Sequence, residues 1–285
     1  MVPPSPDLPR WLDIATEAAL AGGAVLEHYW GNLQSIQEKG RAGDLVTEAD
    51  KASELVVLEI LKRHLPPNHA ILAEESGGDD LTSSFLWAVD PLDGTTNYAH
   101  QYPFCAVSIG LLVDGQPQLG VIYNPILKQL FRGAKGLGAS LNRQPIQVSS
   151  AAQLRDSLLV TGFAYDRRDR LDNNYAEFCH FTHLTQGVRR GGSAAIDLAY
   201  VACGRLDGYW ERGLSPWDLA AGVILVEEAG GQVSAYDGSP FDISSGRILA
   251  TNGQIHPAMM SVLEQVKPLA EFNPQSEQLL AAEQI

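Results

Sequence analysis

The 285-residue chain is poor in positive charge: 20 lysines and arginines stand against 34 aspartates and glutamates, a formal net charge of −14. Such a surface repels nucleic acid and anionic membrane, so neither is expected as a direct partner. Long apolar runs are also missing; none approaches the roughly 18–20 residues that span a bilayer. The opening MVPPSPDLPR lacks the basic-then-apolar order of a secretory signal, and has too few Arg and Ser residues for a transit peptide. Cytoplasmic residence is the expectation. Cysteine is scarce: Cys105, Cys179 and Cys203 are far apart, each in an apolar stretch, and form no C-x-x-C pair. Reduced, buried thiols are expected rather than a disulfide framework. His180 and His183 form an H-x-x-H pair without further zinc-type ligands nearby, and are read as structural. No internal repeat or low-complexity tract is evident.

With 45% hydrophobic and 19% charged residues, the composition is that of a globular protein. Its length suits one large domain or two medium ones. Apolar residues at helical spacing predict a helix over 11–29, stopped by Gly31. Thr47, followed by Glu48 and Asp50, reads as a capping box opening a second helix that ends at Pro66-Pro67, with Leu55, Leu58 and Leu61 or Leu65 on its apolar face. Short strands are predicted at 71–73 and 85–89, then a hairpin of 105–113 and 118–123 joined by Asp114-Gly115, and a third antiparallel strand at 129–133, after which glycines and a turn at 142–145 lead to Ile146–Val148. After a boundary near 149–155, strands (158–161, near 188, 206–211, near 233 and 248) alternate with helices (174–183, 193–203, 217–229 and one from about 257). The reading is layered α and β, antiparallel in the first half and alternating in the second. The expected units are 1–149, 150–268 and a tail, 269–285, rich in Gln and Glu.

The chemistry concentrates at the ends of elements. In WAVDPLDGTTNY, residues 87–98, an apolar strand stops at Asp90, Pro91 sets a turn, and Asp93 comes round to the side of Asp90. Gly94 admits a close backbone approach, and free N–H groups of Gly94 and Thr95 could face an anion. Two converging, poorly solvated carboxylates are unfavourable unless one is protonated or a cation binds. Oxygen-only ligands favour a hard ion such as Mg²⁺. Alone, an acidic D-x-x-D-G turn is an ordinary surface turn more often than a site. Glu74-Glu75-Ser76 also ends an apolar strand, and Asp218 opens a helix after Pro216, where dipole compensation would suffice to explain it. A haloacid-dehalogenase-type phosphatase, with its D-x-D-G-T nucleophile, is excluded because Pro91 occupies the nucleophile position.

Taken together, Glu74-Glu75-Ser76, Asp90 to Asn97 and Trp217 to Gly222 occur in the order E-E-S, D-P-[IL]-D-G-T-x-N, W-D-x-A-A-G. With Lys39, Gly43-Asp44-Leu45-Val46-Thr47, Asp50 and Gly192-Ser193-Ala194-Ala195, they resemble the inositol monophosphatases over nearly the whole chain. The resemblance implies an αβαβα sandwich of the sugar phosphatase type, with an antiparallel N-terminal sheet and a mixed C-terminal one. It implies a phosphomonoesterase for myo-inositol monophosphate or a related small polyol phosphate, dependent on two to three Mg²⁺ ions, inhibited by lithium, and commonly homodimeric. Glu74, Asp90 and the Leu92 carbonyl would hold one ion; Asp90, Asp93 and Asp218 a second; a third, weaker site would lie near Glu74. Thr95 and Asp50, supported by Thr47, would orient and deprotonate the attacking water. Gly192, Ala194 and Glu211 would contact the polyol with Asp93 and Asp218, while Gly94 and Thr95 face the phosphate. Lys39 belongs to a flap-like segment with a softer role. Ala73 replaces a frequent Gly, Ser193 a frequent Thr, and 212–215 vary among relatives, leaving other substrates open: fructose bisphosphate, histidinol phosphate, a hexose 1-phosphate. A regulatory binding protein on the same fold is the alternative of another class. Arg189-Arg190 could attract the anion, but a structural or interface role is preferred.

Overall fold

Helix α1 (Leu8–Tyr29) starts where the Asp7 carboxylate accepts a bond from Arg10 N–H, and it buries Trp11, Leu12, Ile14, Ala15 and Leu26 on one face. The computed structural model describes residues 7–41, 43–78 and 81–269; of the expected tail, all but Leu269 lies outside them. A two-stranded hairpin of β1 (Ile36–Glu38) and β2 (Leu45–Thr47) follows, then α2 (Glu48–His64). The Thr47–Asp50 capping box is formed as its sequence suggested.

An eight-stranded sheet comes next, built from β3 (Ala70–Ala73), β4 (Gly77–Gly78), β5 (Phe85–Asp93), β6 (Ala106–Val113), β7 (Gln116–Asn124), β8 (Gln129–Ala134), β9 (Gly138–Leu141) and β10 (Gln144–Pro145). Neighbours are antiparallel except β3 beside β5, which run parallel. Short helix α3 (Thr95–Ala99) interrupts it directly after β5. The hairpin of β6 and β7 turns on Asp114 and Gly115, both at positive φ, as a tight two-residue turn requires.

The second sheet has five strands, β11 (Leu158–Thr161), β12 (Gly187–Arg190), β13 (Gly208–Arg212), β14 (Gln232–Ser234) and β15 (Arg247–Thr251), in the order β12-β11-β13-β15-β14. It mixes parallel and antiparallel pairs. Helices α4 (Tyr175–Leu184), α5 (Ala194–Ala202), α6 (Pro216–Glu228) and α7 (His256–Gln265) complete the chain.

The layers are α1/α2, the large sheet, α5/α6, the small sheet, and α4/α7. Three apolar clusters fill the gaps: Leu26, Val57, Trp87 and Val107 in the first; Ala88, Ile122, Ile196, Leu198 and Leu225 in the middle; Leu159, Phe181, Trp210 and Met259 in the last. The middle layer is thin because small residues face each other. A Cβ on Gly222 of α6 would stand 2.4 Å from Leu198 Cδ1 of α5, so the two helices approach through a glycine.

Several expectations are corrected. Leu55 is 70% exposed, and α2 instead buries Ser53, Glu54 and Val57 beside Leu61. Ser53 and Glu54 are buried because they bond inward, to the Pro91 carbonyl and the Glu75 N–H. The glycines and the turn at 142–145 instead carry two further short strands, β9 and β10, which pair with each other. Cys179 is exposed and Cys203 half-buried, leaving Cys105 as the buried thiol. His180 and His183 are exposed on one side of α4.

Candidate active site

Alternation along a flat strand would send Asp90 and Asp93 to opposite faces. In β5 the register slips: Asp90 faces Ser108 and Asp93 faces Ala106, so three steps on one strand match two on the other. This bulge puts both carboxylates on one side of the sheet. Gly94, at φ +89°, then turns the chain into α3; a Cβ there would meet the Phe104 carbonyl at 2.9 Å.

The N-termini of three further helices converge on this bulge. At α6, Asp218 accepts the Ser215 N–H through Oδ2 (2.7 Å), leaving its other oxygen for the cleft. At α5, Ser193 Oγ and the Ala195 N–H both donate to Asp93 Oδ2, at 2.6 and 2.7 Å. At α2, the Thr47 N–H and hydroxyl hold Asp50 Oδ2, while Asp50 Oδ1 lies 3.0 Å from Thr95 Oγ1. Thr95 Oγ1 is also 3.1 Å from the Leu92 carbonyl. Positive helix ends thus face a pocket of negative side chains.

Asp90, Asp93 and Asp218 each offer a carboxylate oxygen within 4.8 Å of the others. Burial pushes Asp90 well above the ordinary carboxylate range, helped by the charges of Glu74, Asp93 and Asp218. Burial raises Asp93 to about 6 against the opposing pull of its Ser193 and Ala195 bonds. Asp218 is raised by burial and by Asp93 and Glu74. Burial likewise lifts Asp50 to about 6. A cluster so destabilised when charged, made only of hard oxygen donors, fits a divalent cation such as Mg²⁺.

Glu74 stands outside that trio. Lys39 Nζ pairs with it at 2.8 Å and also with Glu75, so the hairpin of β1 and β2 is latched to the end of β3. Burial pulls the Lys39 ammonium down, but Glu74 and Glu75 together raise it above its ordinary value.

Opposite the trio, Glu211 lies near the end of β13, buried, with Oε2 accepting from Tyr209 OH at 2.7 Å; burial raises it to about 7. Gly162 makes room for it: a Cβ there would lie 2.2 Å from its carboxylate oxygens. Gly192 and Ala194 line the same cleft of about 590 Å³. Of the expected site residues, Thr47 and Asp50 sit behind the wall and the others line it.

Residues without an expected role also matter. Asn97 Nδ2 reaches the carbonyls of Phe104, Gly191 and Gly192, tying the strap before α5 to α3. Its place in the D-G-T-x-N segment was the available signal. Asp44, Tyr165, Arg167 and Arg190 line the cleft. Only assembled loops could show the first three, while Arg190 was preferred for a structural or interface role.

The profile of the inositol monophosphatase family matches residues 7–267. The chain belongs to the inositol monophosphatase family. Among its relatives, an inositol-1-monophosphatase of Synechocystis sp. is 66% identical over 90% of both chains. A Nus factor SuhB of Pseudomonas aeruginosa is 40% identical over 89% of this chain and 95% of that one. The solved inositol monophosphatase of Anabaena (Nostoc) sp. superposes with a TM-score of 0.85 at 64% identity, covering 93% of this chain and 99% of the other. As a family member, the chain has the layered mixed α/β architecture of that structure.

Proposed function

We propose that the chain is a Mg²⁺-dependent phosphomonoesterase that hydrolyses myo-inositol monophosphate or a related small polyol phosphate to the free polyol and phosphate. The observation that carries this reading is the trio Asp90, Asp93 and Asp218, gathered on one side of a bulged strand with four helix N-termini around it. In this reading Asp90, Asp93, Asp218 and the Leu92 carbonyl would hold the ions. Glu74, paired here with Lys39, would join them at the first and at a third, weaker position. Bound Mg²⁺ supplies Lewis acidity, lowering the pKa of water and neutralising charge on the phosphate and the leaving alkoxide.

The chain's own groups do the rest. Thr95 Oγ1, held by Asp50, orients the water that attacks phosphorus in line, and Asp50 is poised to take its proton through the hydroxyl. Thr47 keeps Asp50 in place. The N–H groups of Gly94 and Thr95 face the phosphate. Glu211 accepts hydrogen bonds from polyol hydroxyls, with Gly192 and Ala194 shaping that end. The N-terminal unit, residues 1–149, supplies the metal ligands apart from Asp218, and residues 150–268 supply most of the polyol contacts.

The same reading includes a homodimer in the cytoplasm and inhibition by lithium. Among the described residues, no helix is long and apolar enough to cross a membrane. The test is a phosphate-release screen of the purified chain with Mg²⁺ over polyol, sugar and nucleotide monophosphates. Release from myo-inositol 1-phosphate or a close polyol analogue is expected. No release from any of them would favour a regulatory binding protein instead.

A further inference from the structure

Two segments wall the Glu211 end of the cleft: the loop from β11 to α4, and the end of β13 with the turn after it. Residues 162–165 and 167 of the first line the cleft, as do 211 and 213–215 of the second. The residues skipped in the two runs are Asp166 and Arg212, and they bond to each other. Arg212 Nη1 and Nη2 donate to Asp166 Oδ1 and Oδ2 at 2.8 and 3.0 Å. A two-pronged ion pair therefore stands behind the wall and joins its halves.

Arg212 is only 7% exposed, and its Nε lies 3.4 Å from Asp172 Oδ2, further along the same loop. One guanidinium thus grips the loop at two points, and Arg247 of β15 holds Asp172 as well. Residues 162–173 form neither helix nor strand, so side chains fix the course of this loop. Phe163 adds to the hold by packing its ring on Tyr175 and Phe178 of α4. The two segments also touch directly: a Cβ on Gly213 would stand 2.6 Å from Ala164 Cβ. Arg170 reaches Asp166 too, at 2.8 Å, but it is exposed, and such a pair contributes little.

What the clamp places is a donor across from an acceptor. Glu211, next to Arg212 in the chain, is the buried carboxylate available to polyol hydroxyls. Tyr165, next to Asp166, brings a phenol to the same cleft. Partial burial pushes that phenol up to about 12, with the charges of Asp44, Glu74, Asp93 and Asp218 adding to the effect, so it stays protonated and can donate. A polyol bonded to both walls needs their separation fixed, because hydrogen bonds weaken steeply away from their best distance and angle. We propose that Arg212 is a positioning residue for polyol recognition: through Asp166 it fixes the loop 162–173 against β13 and so sets the width of the cleft where the polyol binds. This rests on the phosphomonoesterase reading and deepens it.

The experiment compares myo-inositol 1-phosphate with p-nitrophenyl phosphate, which has the phosphate but no polyol. Initial rates with Mg²⁺ are measured for the unaltered chain, R212Q, D166N, the double variant, R212K and R170Q. In R212Q, kcat/KM for myo-inositol 1-phosphate is expected to fall about tenfold or more, mainly through KM, while that for p-nitrophenyl phosphate changes less than about threefold. D166N should behave alike, and the double variant no worse than the singles, because all three break one contact. R212K, which keeps the charge and loses the fork, should lie between R212Q and the unaltered chain, and R170Q should match the latter. Should R212Q fail to fold, D166N and R212K carry the same prediction. Equal losses on both substrates would mean a clamp that serves the fold alone, and would overturn the proposal. So would an unchanged KM for myo-inositol 1-phosphate in D166N, or losses that multiply in the double variant. Release from p-nitrophenyl phosphate alone by the unaltered chain would defeat this proposal and leave a phosphatase; release from neither would defeat both readings.

Discussion

Thr95 Oγ1 and Asp50 Oδ1 lie 3.0 Å apart although 45 residues separate them, joining the turn after β5 to the cap of α2. Asp50 is fully buried and Thr95 nearly so, which isolates the pair from bulk water. One carboxylate therefore caps a helix with Oδ2 and accepts from a hydroxyl with Oδ1. A hydroxyl that donates to Asp50 has its lone pairs free for a water in the cleft.

Replacing Thr95 with valine keeps the shape and removes the hydroxyl. The expected result is a fall in kcat of about 10²–10³-fold with little change in KM, as for loss of a group acting on the proton transfer. Thr95→Ser should retain most activity. Steady-state kinetics decides, and a valine variant with near-normal kcat would remove Thr95 from the mechanism.

Asp93→Asn and Asp218→Asn remove charge from the trio without removing side-chain volume. Turnover should drop by about three orders of magnitude or more, with weakened Mg²⁺ dependence. Tm of the metal-free protein should hold or rise, because like-charge repulsion in a buried site is relieved. Calorimetric Mg²⁺ titration and thermal unfolding test the two halves separately.

The same charges set a pH dependence of stability. Burial raises Asp50 and Asp93 from 3.8 to about 6 and Glu211 from 4.5 to about 7. Between those limits the folded chain binds more protons than the unfolded one, so these groups make stability fall as pH rises. Metal-free protein should therefore lose Tm between about pH 4.5 and pH 7. Mg²⁺ should restore more at pH 7 than at pH 5, since at the lower pH protons already neutralise the site. Equal gains at both values would contradict this account.

Gly222→Ala tests the thin middle layer. The added methyl would press on Leu198 Cδ1 and Cβ, at 2.4 and 2.5 Å before relaxation. Urea unfolding should show a loss of about 1–3 kcal/mol, typical of overpacking. An unchanged midpoint would mean that α5 and α6 separate freely.

What the sequence made legible were features with local causes. The caps and stops of α1 and α2, the Asp114-Gly115 turn, and the element ends carrying Glu74, Asp90 and Asp218 could each be read from a few neighbouring residues. What escaped depended on distant partners. Strand β1 is fully exposed, so no burial pattern announces it. Apolar spacing alone puts Leu55 on the buried face of α2, whereas Ser53 and Glu54 are buried there because one donates to the Pro91 carbonyl and the other accepts the Glu75 N–H. Placing Asp90 and Asp93 on one side was a sound expectation, but its cause, the bulge against β6, needs the partner strand. Arg190 could not be located in the cleft from its own segment, because the strap that carries it is tied down by Asn97, far away in sequence.

The central claim is that Asp90, Asp93 and Asp218 hold divalent ions on which phosphate release depends. The most direct measurement is the rate of phosphate release from myo-inositol 1-phosphate as free Mg²⁺ is varied from a chelator-buffered zero upward. The account predicts no turnover at zero, a saturable rise with Mg²⁺, and a rise shifted to higher concentration or abolished in Asp93→Asn. Undiminished turnover in the chelator, or the same Mg²⁺ curve for Asp93→Asn, would contradict it.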